Sequence, residues 1–263
     1  MRIALGLEYD GSRFCGWQSQ PSGCGVQDAL ERALSEIAGE TVRVVTAGRT
    51  DTGVHALHQV VHFDTAAVRP DSAWVRGVNA LLPENVAVLW AQPVNEEFHA
   101  RFSAVSRRYV YMLHNHPVRP ALLTGKVGWF HQPLDVDAMR QGAQHLLGEH
   151  DFTAFRAAQC QAKSALKQMQ RIEISRRGDI VLFDLTANAF LHHMVRNLVG
   201  SLVYVGKGKH PPGWMAELLT NLDRTLAAPT FAPDGLYLAS IGYDPKWNIP
   251  TQARLPDLVF PLT

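Results

Sequence analysis

Cysteine is scarce in this chain: Cys15, Cys24 and Cys160 are the only three among 263 residues. Odd in number and without paired metal-ligand spacing, they indicate neither a disulfide framework nor a zinc site, and a reducing, cytoplasmic setting is the expectation. No apolar run is long enough to span a bilayer. The opening MRIALGLEYDGSRF interrupts its apolar residues with charge early, so it lacks the apolar centre of a secretory signal. Excess charge is also missing. The net charge is +1 and the pI near 7.9, whereas a domain that is basic overall and binds nucleic acid exceeds ~9. Any basic surface for RNA must therefore be local. Arginine outnumbers lysine, which suits bidentate phosphate contacts, although a biased base composition produces the same excess. Long polar tracts are absent too; with 46% hydrophobic and 19% charged residues the chain is a folded globular one, and only the C-terminal tail reads as a candidate for disorder.

What is present is periodicity. Arg2 to Tyr9 alternates, with Ile3, Leu5, Leu7 and Tyr9 on one face of a half-buried strand. Val26 to Ala38 carries apolar residues at helical spacing and stops at Gly39. Thr41 to Ala47 and Gln59 to Asp64 read as strands, Ser72 to Leu81 as a helix and Val86 to Val94 as a strand. The second half repeats that order: a strand at Val105 to Leu113, a helix at Val136 to Leu147 capped by Asp135, and strands at Arg171 to Ser175 and Ile180 to Thr186. Helices follow at Phe190 to Tyr204 and Trp214 to Leu222, then a last strand at Leu236 to Tyr243. The pattern predicts an α+β fold of two ferredoxin-like, split β-α-β lobes, each with a mixed or antiparallel sheet flanked by helices. The expected divisions are 1–104, 105–247 and a tail at 248–263.

The densest polar cluster lies between two predicted strands: Gly48-Arg49-Thr50-Asp51-Thr52-Gly53-Val54-His55. A turn in which Asp51 merely caps the backbone is the ordinary reading of such a loop. This loop is too long for a minimal hairpin, however, and an aspartate can act on a sugar carbon as a nucleophile or serve as a base. Arg49 is a candidate cation to keep it ionised. Elsewhere, Arg196 falls off the apolar face built by Leu191, Met194, Val195, Leu198, Val199 and Leu202, so its helix alone marks it as a solvated arginine. His55, His58 and His62 would align as metal ligands only on a helix, and their segment reads as a loop entering a strand, so no metal is expected. His192 and His193 read as solvated neighbours, with RNA phosphate contact the less ordinary alternative. Trp74, Trp90 and Trp129 sit in apolar patterns and are expected in the core.

AGRTDTGVHA at 47–56, EYDGSRFCGWQSQ at 8–20, NAFLHHMVRNLVG at 188–200 and GLYL at 235–238 together resemble the tRNA pseudouridine synthases of the A type, in order and spacing, from about residue 1 to about residue 245. The departure is Thr52, where that family commonly has alanine; a hydroxyl there is able to hydrogen-bond Asp51, which bears on the tuning of its pKa and not on its role. The resemblance implies that Asp51 is the catalytic nucleophile and that Arg196 pairs with it in a cleft between the lobes. Arg49 stands with them, and Tyr109 packs on the target base, although residue pattern alone does not separate Tyr109 from Tyr111. It further implies no cofactor and no metal, a homodimer, and uridines 38, 39 and 40 of the tRNA anticodon arm as targets, each extruded before reaction. The alternative is a non-catalytic RNA-binding protein on two RRM-like lobes, but no aromatic RNP motif is present. A sugar hydrolase would need two flanking carboxylates, and this loop has one.

Overall fold

A computed structural model describes residues 1–251. The elements run β1 (Arg2–Tyr9), α1 (Val26–Ala38), β2 (Val45–Thr46), β3 (His55–Asp64), α2 (Val78–Leu81), β4 (Val86–Val94), β5 (Ala104–Asn115), β6 (Gly128–Phe130), α3 (Val136–Gln144), β7 (Gly148–Asp151), β8 (Leu166–Arg177), β9 (Ile180–Ala187), α4 (Met194–Gly206), α5 (Trp214–Asn221) and β10 (Leu236–Tyr243). The fold is therefore mixed α+β. Among the described residues no helix is long and apolar enough to cross a membrane.

The chain forms two compact units, Met1–Val105 with the chain from Tyr237 onward, and Ser106–Leu236. The sequence pattern assigns β10 to the second part, 105–247. In the structure it lies with the first, because β10 pairs in parallel with β3 (Tyr237↔His55, Leu238↔Ala56) and the Tyr243 hydroxyl donates to the Ala100 carbonyl at 2.7 Å. Pairings across so much sequence leave no local periodicity to read. Of the tail expected at 248–263, residues 252–263 lie outside the described residues.

In the first unit β1 is flanked antiparallel by β3 and β4, and β10 borders β3. Half-burial of β1 was the expectation from alternation; instead Ala4 and Gly6 are buried as well, so both faces are covered. Trp90 of β4 lies over Gly6, where a Cβ would stand 2.1 Å from the indole nitrogen, which makes glycine the one residue that fits. Trp90 is half-buried there, and Trp74 packs in the core against Phe63 at 5.3 Å. The strand expected at 41–47 shrinks to two residues. Ser35 Oγ of α1 accepts the Val42 N–H at 2.9 Å and the Glu31 carboxylate accepts the Val44 N–H at 3.0 Å, so a helix takes the donors a ladder would use. The helix expected at 72–81 is a π turn at Ala73–Gly77 followed by α2.

Cys15 and Cys24 are joined as a disulfide with Cα atoms 5.4 Å apart, which corrects the expectation of no disulfide. The cause is local: Gly16 and Gly23 take φ values of +92° and +68°, folding the segment back so that the Cys15 N–H donates to the Cys24 carbonyl at 3.0 Å. Cys160 is free.

In the second unit β5, β9, β8 and β7 form an antiparallel run, with short β6 parallel to β5. Neither β6 nor β7 has a sequence signature. Trp129 on β6 is 41% exposed and donates from its indole to the His116 carbonyl at 2.8 Å, which corrects its expected core position. Helix α4 starts at Met194 instead of Phe190, because His193 before it holds φ at +62°. It is buried almost all round, Asn197, Gly200 and Ser201 included.

Candidate active site

In the first unit the polar loop between β2 and β3 closes on a turn at Asp51-Thr52-Gly53-Val54. The Val54 N–H donates to the Asp51 carbonyl at 3.1 Å, and Gly53 sits at φ +80°, the left-handed geometry that a turn of this kind asks of glycine. Asp51 is thereby placed at the turn's first corner, half-buried, with Arg49 and Thr52 exposed on either side of it.

The residue before Asp51 is held from two directions. The Thr50 carbonyl accepts the Trp17 N–H at 3.0 Å, and the Thr50 hydroxyl meets the Tyr9 hydroxyl at 2.8 Å. Gln59, fully buried in β3, donates to the Gly48 carbonyl at 2.6 Å and also reaches the Tyr9 oxygen at 3.5 Å. Burial raises the Tyr9 pKa to about 12, against the lowering by its Thr50 and Gln59 hydrogen bonds, so the hydroxyl stays protonated. Gly11 fits against the Val54 carbonyl, which a Cβ there would strike, and Gly16 lies against the Thr50 carbonyl and the Asp51 carbonyl carbon. Residue pattern alone overlooks Tyr9, Trp17, Thr50 and Gln59 as partners of this loop. The usable signal was a glutamine inside the apolar strand HQVVHF, since a buried amide requires partners.

The three histidines are dispersed as core acceptors and do not form a ligand set. His55 Nδ1 accepts the Gly11 N–H at 3.1 Å, His58 Nε2 accepts the Trp90 indole N–H at 3.1 Å, and His62 Nδ1 accepts the Ala100 N–H at 3.1 Å.

In the second unit Tyr109 and Tyr111 share one face of β5, and their environments separate them. Tyr111 is fully buried, its hydroxyl donates to the Ala232 carbonyl at 2.9 Å, and burial pushes its pKa far up. Tyr109 packs edge-on against Phe190 at 5.1 Å at the border of the buried core. Beside it the Arg108 guanidinium grips Asp184 with two bonds of 2.8 and 2.7 Å. Arg196, read from its helix as solvated, is half-buried: its Nε donates to the Phe231 carbonyl at 2.8 Å, while the Phe231 N–H donates to the Arg196 carbonyl at 3.3 Å. The Nε bond fixes the direction of the guanidinium stem. His192 is exposed and His193 half-buried, their rings 4.0 Å apart.

The family model for tRNA pseudouridine synthase matches residues 7–103 and 143–244. A tRNA pseudouridine synthase A of Methylobacillus flagellatus is 62% identical over 97% of both chains. That of Dechloromonas aromatica is 62% identical over 95% of both, and that of Thiobacillus denitrificans 61% identical over 97% of this chain and 98% of its own. A family match that takes in the Asp51 turn and α4, together with identity of this depth along nearly the whole length, means that the chain belongs to the tRNA pseudouridine synthase family.

Proposed function

We propose that this chain converts uridine to pseudouridine at positions 38, 39 and 40 of the tRNA anticodon arm, with Asp51 as its catalytic carboxylate. The reaction is an isomerisation: the N1–C1′ bond breaks, the base turns, a C5–C1′ bond forms, and the proton lost at C5 is balanced by one gained at N1. Nothing in that sequence calls for a redox cofactor or an energy source, only nucleophilic and acid-base groups. The observation that carries the reading is Asp51 itself, half-buried at the corner of a hydrogen-bonded turn, in a chain that belongs to this family.

In the same reading the two units are ferredoxin-like lobes. Arg49 and Arg196 act with Asp51 as catalytic residues, Arg49 as the cation that keeps it ionised, and Tyr109 packs on the extruded base. The protein works in the cytoplasm as a homodimer. The test is Asp51→Asn. Pseudouridine mapped by carbodiimide adducts on unmodified tRNA should vanish while tRNA affinity persists, because the carboxylate acts on the reacting atoms and not in docking. Substantial product from that variant would remove Asp51 from its role, and a blank map for the wild-type chain across many tRNAs would reduce it to a binder.

A further inference from the structure

We infer that Tyr9 and Thr50 are positioning residues for the uridine isomerisation, setting the trajectory of Asp51 through a buried hydroxyl pair. This rests on the reading of Asp51 as the catalytic carboxylate. Thr50 immediately precedes Asp51 and is fixed at both its polar ends, carbonyl to the Trp17 N–H and hydroxyl to Tyr9. Both hydroxyls are buried and share a hydrogen bond, and Gln59 lies behind them as a donor to the Tyr9 oxygen. Gln59 also holds the Gly48 carbonyl, so the residues on the approach to Asp51 hang from one polar cluster inside an otherwise apolar sheet. Such a cluster offers little stability beyond what apolar side chains of the same shape supply, so its value lies in direction. A nucleophile displaced by ~1 Å can lose ~100-fold in rate without any loss of substrate binding.

The experiment compares Tyr9→Phe, Thr50→Val and Thr50→Ser with Asp51→Asn in single-turnover kinetics on a tRNA transcript, with tRNA affinity and melting temperature measured in parallel. Tyr9→Phe keeps the ring and Thr50→Val keeps the shape, so both should fold. Each should lower the rate of the chemical step by roughly 10- to 100-fold with tRNA affinity unchanged. Thr50→Ser, which restores the hydroxyl, should return the rate to within about threefold of wild type. Rates within about twofold of wild type for both Tyr9→Phe and Thr50→Val, or a Thr50→Ser as slow as Thr50→Val, would overturn the inference while Asp51→Asn stays inactive. An active Asp51→Asn would instead overturn the reading on which it rests.

Discussion

His62 illustrates how one buried residue links stability to pH. Its ring is held in the core by the Ala100 N–H; burial first, then the charges of Arg2 and His99, lower its pKa to about 4. In the unfolded chain the value returns toward the ordinary ~6.5. Between those values the unfolded state binds a proton that the folded state refuses, so stability falls as pH drops from ~6.5 to ~4 and is unaffected by this group above that window. The loss should be on the order of 3 kcal/mol over the whole window. Urea midpoints at pH 7 and pH 5 should therefore differ in the wild type, and less so in His62→Asn, whose Oδ1 still accepts the Ala100 N–H. An equal slope in both proteins would assign the pH dependence elsewhere. At this same scale Gly53 of the polar loop takes the left-handed geometry that glycine supplies without a steric penalty. The sequence misplaces Arg196 and Trp129, whose burial depends on Phe231 and on β6.

Among the elements, the segment from β1 to α1 carries the largest surprise. Cys15 and Cys24 are read as unpaired from number and spacing, yet the two glycine turns fold their segment into a disulfide loop whose next residues, Gly16 and Trp17, abut Thr50. Closing a loop of this length removes ~2–3 kcal/mol of chain entropy from the unfolded state. The oxidised protein should unfold at a higher urea concentration than the reduced one, and the difference should disappear in Cys15→Ala/Cys24→Ala. A wild-type midpoint that ignores reductant would contradict the pairing. Strand boundaries in this region misled for a related reason: α1 side chains capture the N–H groups of Val42 and Val44, so residues with strand-like composition have no ladder to join.

For the molecule as a whole, near-neutral charge and a polyanionic substrate set opposite expectations. With a net charge of +1, long-range attraction to tRNA is weak, and binding must come from local cations at phosphates. Affinity should fall log-linearly with salt, each neutralised phosphate of a helical stem contributing a slope of about −0.9. Fluorescence titration of a labelled tRNA between low and moderate salt would measure the slope, and a flat response would exclude phosphate contacts as the source of affinity.

The linear sequence by itself determined the α+β class, the long strands and helices such as β1, α1, β4 and β10, and the family through its Asp51 motif. Those are properties of periodicity and of residue types with few substitutes, and both are written locally. Tertiary structure alone decided that β10 belongs with β3, that Cys15 meets Cys24, that Gly6 makes room for Trp90, and that Thr50 hangs from Tyr9 and Gln59. Each of these depends on which distant backbone or side chain arrives as a neighbour, and hydrogen bonds and close packing act over a few ångströms regardless of separation along the chain.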